Sequence, residues 1–202
     1  MPQFTTPFET LALVAIAAYL LGSVPFGMVM ARLFGLGNLR NVGSGNIGAT
    51  NVLRTGSKPA AALTLVLDAA KAAIAILVAR ALYGEDAAQV AALAAFLGHL
   101  YPIYLGFKGG KGVATFLGAL LALHPLTGIL SCATWLVAAA ITRISSLGAL
   151  ASAGLALLWA LVFNQFHLAV LITILAALVF LRHSANIARI RTGTEPKIGQ
   201  GK

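Results

Sequence analysis

The chain has 202 residues, of which 59% are hydrophobic and 9% are charged, and its mean hydropathy is +0.92. A soluble globular protein needs more polar surface than this composition supplies, so we predict an integral membrane protein. The net charge of +9 does not indicate nucleic-acid binding, because no basic patch interleaved with aromatic residues lies on a polar domain. In a membrane protein an excess of Lys and Arg is typical of cytoplasmic loops, which set the topology, and of sites for anionic ligands. The single cysteine, Cys132, excludes an intramolecular disulfide.

The apolar segments predict an all-α protein with seven membrane crossings in a single domain, residues 1–202. The first segment can cross the roughly 30 Å hydrocarbon layer and lacks a cleavage site, so we interpret it as a retained anchor. Pro25 within it predicts a kink, because proline lacks a backbone donor. The fourth segment has half the usual length, which leaves a tilted, re-entrant or shielded helix open. In chain order the segments cover residues 8–34, 59–82, 87–105, 113–123, 126–141, 145–163 and 166–181.

The positions of the basic residues predict the orientation, since Lys and Arg gather in short cytoplasmic loops. Seven crossings leave only Arg80 near the opposite side and Lys71 inside a helix. We therefore expect an outside N-terminus and a cytoplasmic C-terminus. If the fourth segment did not cross, Arg143 and the C-terminal tail would move outside. The residues placed on the cytoplasmic side are Arg32, Arg40, Arg54, Lys58, Lys108, Lys111, Arg143, Arg182, Arg189, Arg191, Lys197 and Lys202.

Residues 40–54, with the sequence RNVGSGNIGATNVLR, form a polar, glycine-rich segment with basic ends, which we call the serine loop. Glycines allow successive backbone N–H groups to converge on one anion, and the polar side chains add donors. This combination suits a phosphate group, although an ordinary tight loop between helices would also use glycine. The candidate site residues are Gly43, Ser44, Gly45, Asn46, Gly48, Thr50, Asn51 and Arg54.

A second polar stretch covers residues 98–115, and its central part, GFKGGKG at residues 106–112, is called the lysine loop here. A glycine-rich turn that leads into a helix N-terminus is a typical anion site, because unpaired N–H groups and the positive end of the helix dipole coincide. The alternative is a helix hairpin whose lysines only follow the positive-inside rule. The candidate residues are His99, Lys108, Gly109, Gly110, Lys111, Gly112 and Thr115.

Two further features combine charge with helical spacing. If the last helix continues past the membrane, Arg182, Asn186 and Arg189 share one face; a basic tail on anionic lipid is the alternative. Asp68 and Lys71 lie three residues apart in the second crossing, where ionisable groups usually face the protein interior. They are interpreted either as a structural ion pair or as a support for the loops.

Familiar catalytic signatures are absent from the sequence. The glycine pattern at residues 43–48 follows no strand, so it does not predict a dinucleotide site. The lysine loop lacks the glycine and the Ser/Thr of a Walker motif. No histidine begins an H-x-x-x-x-D motif, and no spacing suits zinc. We expect neither a metal nor another cofactor.

Four segments together resemble the bacterial acyl-phosphate:glycerol-3-phosphate acyltransferases, the PlsY family. They are residues 22–27, 41–54, 98–115 and 183–196, and the similarity extends over essentially the whole chain. The resemblance implies a seven-helix enzyme of the bacterial inner membrane with a cytoplasmic active site. It would transfer a fatty acyl group from acyl phosphate to the 1-hydroxyl of glycerol 3-phosphate, giving lysophosphatidic acid and inorganic phosphate, the first acylation of phospholipid synthesis.

The resemblance also implies roles for residues. The serine loop would surround the reacting acyl phosphate, and the lysine loop would shape the glycerol phosphate side. The expected partners are acyl phosphate, glycerol 3-phosphate and membrane lipid, without nucleic acid, and we expect a monomer. The residues expected to be catalytic are Ser44, Arg54, Lys111, His183 and Asn186.

The mechanism and one other function stay open at this point. A phosphate oxygen of the substrate is expected to accept the hydroxyl proton while loop donors stabilise the oxyanion; His183 as general base is the alternative. An anion transporter would need polar groups on both sides of the membrane, whereas the three polar stretches lie on one predicted side. The transporter is therefore the second choice.

Overall fold

The computed structural model describes residues 5–199, which form α-helices and short 3-10 turns without a strand. The prediction of an all-α protein is therefore confirmed for this part of the chain, and Lys202 lies outside the described residues. The helices are α1 Phe8–Gly22, α2 Phe26–Leu33, α3 Ala49–Leu53, α4 Lys58–Tyr83, α5 Glu85–Leu100, α6 Val113–Leu123, α7 Pro125–Thr142, α8 Ser145–Val162, α9 Ala169–Arg182 and α10 Ser184–Arg191.

Several of these helices are long and apolar enough to cross a membrane. Within the described residues five segments qualify, and a sixth is added if α9 and α10, bent by 61°, count as one span. The chain is thus a multi-helix membrane protein, as predicted. The helix α6 is apolar but shorter than these segments. The five segments are Phe8–Leu33, Lys58–Tyr83, Glu85–Leu105, Pro125–Thr142 and Ser145–Val162.

The predicted kink in the first segment is confirmed, because α1 ends at Gly22 and α2 begins at Phe26. Pro25 cannot donate a backbone hydrogen bond. Its carbonyl oxygen accepts from Met28 N at 2.9 Å, and this bond belongs to the first turn of α2. The break leaves the Val24 carbonyl available to a side chain from another helix.

The described chain divides into two compact units, the first of which ends at Leu123. In it, α1 packs on α5, and α4 packs on both α5 and α6. Small residues allow this close packing: a side chain at Gly118 of α6 would collide with the backbone of Ala69 in α4. Close backbone approach at small residues is the usual device for helix association in membranes.

The short helix α6 lies beside the middle and the end of α4, and α4 supplies hydrogen-bond partners for both ends of α6. At the beginning, Thr115 Oγ1 donates to the carbonyl of Asp68 at 3.0 Å. At the end, the Arg80 guanidinium donates to the carbonyls of Ala122 at 2.6 Å and Leu123 at 3.0 Å. Helix C-termini leave carbonyls unpaired, and here an arginine satisfies two of them. Of the three options left open by its length, a helix shielded by its neighbours agrees best with these contacts.

The second unit begins at His124 and contains α7 to α10. Hydrogen bonds join α8 to α7: Ser152 Oγ donates to the Ser131 carbonyl at 2.8 Å, and Trp159 Nε1 donates to Thr134 Oγ1 at 3.0 Å. Pairing these groups inside the helix bundle avoids the cost of unsatisfied polar atoms in hydrocarbon. The condition set for the last helix, that it continues past the membrane, is not met by one continuous helix, because the chain bends at His183, between α9 and α10.

Candidate functional site

Asn51 holds the serine loop together. Its side chain is buried, and its Oδ1 accepts from Ser44 N at 3.1 Å and from Ser44 Oγ at 3.3 Å. Its Nδ2 donates to the carbonyls of Leu39 at 3.0 Å and Asn46 at 2.8 Å. One amide thus replaces the backbone pairing that a helix or strand would provide. Asn51 was predicted to bind substrate; its geometry shows a framework role, and a direct contact with substrate stays a prediction.

Two glycines give the loop its shape around Ser44. Gly43 has φ of 50° and Gly45 has φ of 66°, both in the left-handed region that residues with a Cβ avoid. A Cβ at Gly43 would also lie 2.6 Å from Arg54 Cδ. The loop therefore brings the Arg54 side chain against Gly43, the residue before Ser44. Ser44 is an exposed residue, and its hydroxyl donates to Asn51 Oδ1. An exposed serine in a loop that holds a permanent cation suits an anionic ligand.

Arg40 joins the serine loop to the lysine loop. Its Nη1 donates to the Gly45 carbonyl at 3.2 Å, and its Nη2 donates to the Lys108 carbonyl. Both acceptors are backbone groups, so the contact fixes the loops without using the side-chain charge of Lys108. The planar fork of an arginine suits such a bridge, since it presents several donors in a fixed geometry.

The lysine loop folds back onto the end of α5. Gly109 N donates to the Leu100 carbonyl at 3.2 Å, and Gly110 N donates to the His99 carbonyl at 3.1 Å. Both glycines are buried, and a Cβ at Gly110 would collide with His99 Nε2. Lys111 follows, half-buried, just before α6 begins at Val113. The predicted glycine turn before a helix N-terminus is present.

Asp68 and Lys71 form a buried ion pair, with Nζ 2.9 Å from Oδ1. Lys71 Nζ also donates to the Val24 carbonyl at 2.9 Å and lies 2.9 Å from His99 Nδ1. The pair therefore neutralises itself and also contacts the region before the lysine loop. The structural ion pair is confirmed, since buried charges need partners. A support for the loops stays a prediction, to which the contact with His99 gives a physical basis.

His183 and Asn186, the other predicted catalytic residues, lie in the second unit and are buried. His183 Nδ1 is 2.8 Å from the Val179 carbonyl, which can only accept, so the proton of the neutral ring sits on Nδ1. In this tautomer Nε2 carries a lone pair, as a general base requires. Asn186 Nδ2 donates to the carboxylate of Glu195.

Glu195 is a residue that the sequence interpretation missed. Its Oε1 accepts from Ser146 Oγ at 2.6 Å and from Asn186, and its Oε2 accepts from Arg189 Nε at 2.6 Å. Burial raises the pKa of this carboxyl, but the hydrogen bonds and the Arg189 charge outweigh that effect and lower the pKa below its ordinary value. The sequence signal for Glu195 is that it is the one acidic residue among the basic residues 182–202. In the structure it joins the chain after α10 to Asn186 and Arg189 of that helix.

The structure thus assigns the predicted residues to two groups. The first group lies on the serine and lysine loops, which Arg40 connects within one unit, and on α5 and α6, the helices before and after the lysine loop. Thr115 of this group uses its hydroxyl hydrogen on the Asp68 carbonyl. The second group is His183 and Asn186 in the other unit. The members of the first group are Gly43, Ser44, Gly45, Asn46, Gly48, Thr50, Asn51, Arg54, His99, Lys108, Gly109, Gly110, Lys111, Gly112 and Thr115.

Comparison with known proteins identifies relatives that align along nearly the full chain. A family model described as glycerol-3-phosphate acyltransferase matches residues 12–193. A glycerol-3-phosphate acyltransferase of Jannaschia sp. is 62% identical over 200 residues, covering 99% of this chain and 98% of the relative. A glycerol-3-phosphate acyltransferase of Cereibacter sphaeroides is 58% identical over 200 residues, covering 99% of this chain and 95% of the relative.

Two solved structures are similar as well. A crystal structure of PlsY, an integral membrane glycerol 3-phosphate acyltransferase, in its glycerol 3-phosphate form is 40% identical, with a TM-score of 0.89 and coverage of 94% of this chain and 96% of that one. The crystal structure of PlsY in its lysophosphatidic acid form is 37% identical, with a TM-score of 0.86 and coverage of 94% of this chain and 96% of that one. The chain, with its two glycine-rich loops and its apolar helices, belongs to the glycerol-3-phosphate acyltransferase family.

Proposed function

We propose that the protein transfers a fatty acyl group from acyl phosphate to the 1-hydroxyl of glycerol 3-phosphate, as the first acylation of phospholipid synthesis. The observation that carries the proposal is the Arg40 bridge, which holds the serine loop and the lysine loop together in one compact unit. Two anionic substrates must be held close together for this reaction. Fixed backbone donors and arginine or lysine cations offset the repulsion between their phosphates.

The relatives support the acceptor and the product. The solved PlsY structures are glycerol 3-phosphate and lysophosphatidic acid forms, so that protein binds an acyl acceptor and its acylated product. The acyl phosphate donor comes from the sequence motifs and is part of the proposal. Membership in an acyltransferase family favours the enzyme over an anion transporter.

The residue roles follow the two groups. Ser44 and Arg54 bind the acyl phosphate, and Lys111 bridges the phosphates; His183 and Asn186 are further catalytic residues on the evidence of the motif. The protein is a single functional domain with seven crossings, an outside N-terminus and a cytoplasmic C-terminus in the bacterial inner membrane. It acts as a monomer, with the active site on the cytoplasmic side.

In the proposed reaction the 1-hydroxyl oxygen attacks the acyl carbonyl carbon. The new ester C–O bond forms, the C–O bond to phosphate breaks, and inorganic phosphate leaves with the proton that its oxygen has accepted. Donors of the serine loop stabilise the tetrahedral oxyanion. His183 is the competing base, because its Nδ1–H tautomer leaves a lone pair on Nε2.

The direct test incubates the purified protein with synthetic acyl phosphate and glycerol 3-phosphate and measures phosphate release and lysophosphatidate formation. Acyl-CoA in place of acyl phosphate tests the donor, and failure with acyl phosphate would reject the proposal.

Ser44→Ala and Lys111→Met are expected to lose activity, and wild-type kinetics in both would reject the site. For His183→Gln, near-complete loss of activity with intact folding and binding would replace the substrate-assisted mechanism by the histidine base.

A further inference from the structure

The Lys71 side chain contacts one of the two ring nitrogens of His99. Three atoms lie 2.9 Å from the Lys71 ammonium nitrogen: Asp68 Oδ1, the Val24 carbonyl oxygen and His99 Nδ1. An ammonium group has three donors and no acceptor. His99 Nδ1 must therefore accept, and the proton of the neutral imidazole sits on Nε2. A doubly protonated ring would place a second positive charge against the ammonium group.

The protonated edge of His99 faces the lysine loop. Gly110 packs so closely against Nε2 that a Cβ would collide with it, and Gly110 N also donates to the His99 carbonyl. His99 is buried with 4% of its surface exposed, so the ring has little freedom to move away from this contact. Lys111 is the next residue along the chain. The position of the imidazole therefore sets the position of the lysine loop.

Helix α4 also holds the other end of this segment. Asp68, one turn before Lys71, accepts the Thr115 hydroxyl on its backbone carbonyl at 3.0 Å. The side chains of Asp68 and Lys71 are each almost fully buried, with 2% and 1% exposed. Two neighbouring residues of one helix thus contact the chain before and after the lysine loop. A rigid helix that fixes both ends of a loop reduces the freedom that the loop loses on binding a ligand.

We infer that Lys71 is a positioning residue: by holding His99 as the Nε2–H tautomer, it fixes the lysine loop, and with it Lys111, for binding a phosphate monoester. The tautomer rests on the ammonium charge of Lys71 and its 2.9 Å contact with Nδ1, which is shorter than the 3.6 Å from Nδ1 to Asp68 Oδ1. The phosphate monoester, glycerol 3-phosphate, rests on the proposed function. This role is separate from charge neutralisation, because an apolar helix could carry no ion pair at all and remain stable.

The first test reads the tautomer by ¹⁵N NMR of histidine-labelled protein in micelles. The chain has four histidines, and the His99 signals are those lost in His99→Gln. The wild type is expected to carry the proton on Nε2. In Lys71→Met, Nδ1 should become protonated, because Asp68 Oδ1, 3.6 Å away, is then an acceptor without its ammonium partner. A proton on Nδ1 in the wild type, or no change in the variant, would overturn the inference.

The second test separates binding from turnover. Lys71→Met should raise KM for glycerol 3-phosphate about tenfold, which corresponds to about 1.4 kcal/mol, and change KM for the acyl donor much less. Since this variant leaves Asp68 unpaired, the double variant Asp68→Asn/Lys71→Met is measured with it and removes both charges. The control Thr64→Val lies in the same helix and loses only a bond to the Ala60 carbonyl.

The outcomes are distinct. Unchanged KM for glycerol 3-phosphate in both folded Lys71 variants, or an equal rise in Thr64→Val, would overturn the inference. If the wild type shows no turnover of acyl phosphate, the proposed function fails, while the NMR result still decides whether Lys71 sets the tautomer.

Discussion

The serine loop and the lysine loop have similar compositions, yet they are held in place differently. The serine loop is organised from within, by the Asn51 side chain and by left-handed glycines. The lysine loop is organised from outside, by His99 and by two residues of α4 that lie inside the bundle. A self-contained loop is sensitive to substitutions near it. A loop held by a helix is sensitive to substitutions in that helix as well.

The largest effect should come from Gly110→Ala. The added Cβ meets His99 Nε2, and this ring cannot shift because Lys71 holds its other side. We expect kcat/KM for glycerol 3-phosphate to fall about 100-fold, since errors of an ångström in position cost about that much. Steady-state kinetics on folded protein measure it.

The matched control is Gly106→Asn in the same loop. A Cβ at Gly106 meets nothing within 4 Å, and asparagine tolerates its φ of 57°. Activity within about twofold of wild type is expected, because surface substitutions rarely matter. Equal loss in both variants would show that the loop tolerates no change, and the comparison of the two loops would then fail.

Asn51→Leu should have the next largest effect and should act on the serine loop. It removes the partners of Ser44 N and of the Leu39 and Asn46 carbonyls. Each unsatisfied buried group costs about 1–3 kcal/mol, so we expect a lower melting temperature and at least about tenfold lower kcat. KM for glycerol 3-phosphate should change less than in Gly110→Ala.

Asn38→Ala serves as the control for this variant. It also removes a side-chain acceptor from a backbone N–H, that of Arg40, but the bond is exposed. A small loss of stability and near-normal turnover are expected. If Asn51→Leu retained full activity while folded, the serine loop would not depend on its internal frame.

Arg40→Lys should have a moderate effect that couples the two loops. A single ammonium cannot reproduce the fork that reaches both the Gly45 and the Lys108 carbonyls. We expect about a threefold to tenfold loss of kcat/KM, or about 1 kcal/mol, with a larger loss in Arg40→Ala. Kinetics at two fixed concentrations of each substrate would show whether both are affected, and an effect on one substrate alone would mean that the loops work independently.

Glu195→Gln should have the smallest effect on the serine and lysine loops, because Glu195 contacts residues of neither loop. The folded-state pKa of Glu195 lies below its ordinary value of 4.5. Its stabilisation is therefore present above about pH 4.5 and lost as pH falls through the lower folded pKa. Thermal unfolding against pH should show a stability difference between wild type and variant at pH 7 that vanishes in strong acid. A difference that persists in acid would contradict this assignment.

Local patterns predicted much of the fold, because spacing and composition determine them. The apolar segments, the break at Pro25 and the glycine turn before α6 all appeared in the structure. The partners of side chains far apart in sequence did not follow from the pattern. His99 was predicted to bind substrate, and its contact with Lys71 joins residues 28 positions apart. The Arg40 bridge and the Glu195 contacts were missed for the same reason.

The bend at His183 shows a second limit. Arg182 ends α9 and residues 184–191 form α10, and the two helices are bent by 61° relative to each other. No proline or glycine marks the bend, so the sequence left continuation of the helix as a condition and gave no signal for a change of direction. The pairing of Asn186 and Arg189 with Glu195 then depends on the chain after α10 turning back.

The contact between Thr115 and Asp68 fixes where the chain after the lysine loop meets α4. Asp68 is the eleventh residue of α4, so this segment meets that helix roughly 15 Å from its beginning. The acceptor is a backbone carbonyl, which every amino acid supplies. This anchor therefore survives replacement of the Asp68 side chain, whereas the ion pair with Lys71 does not.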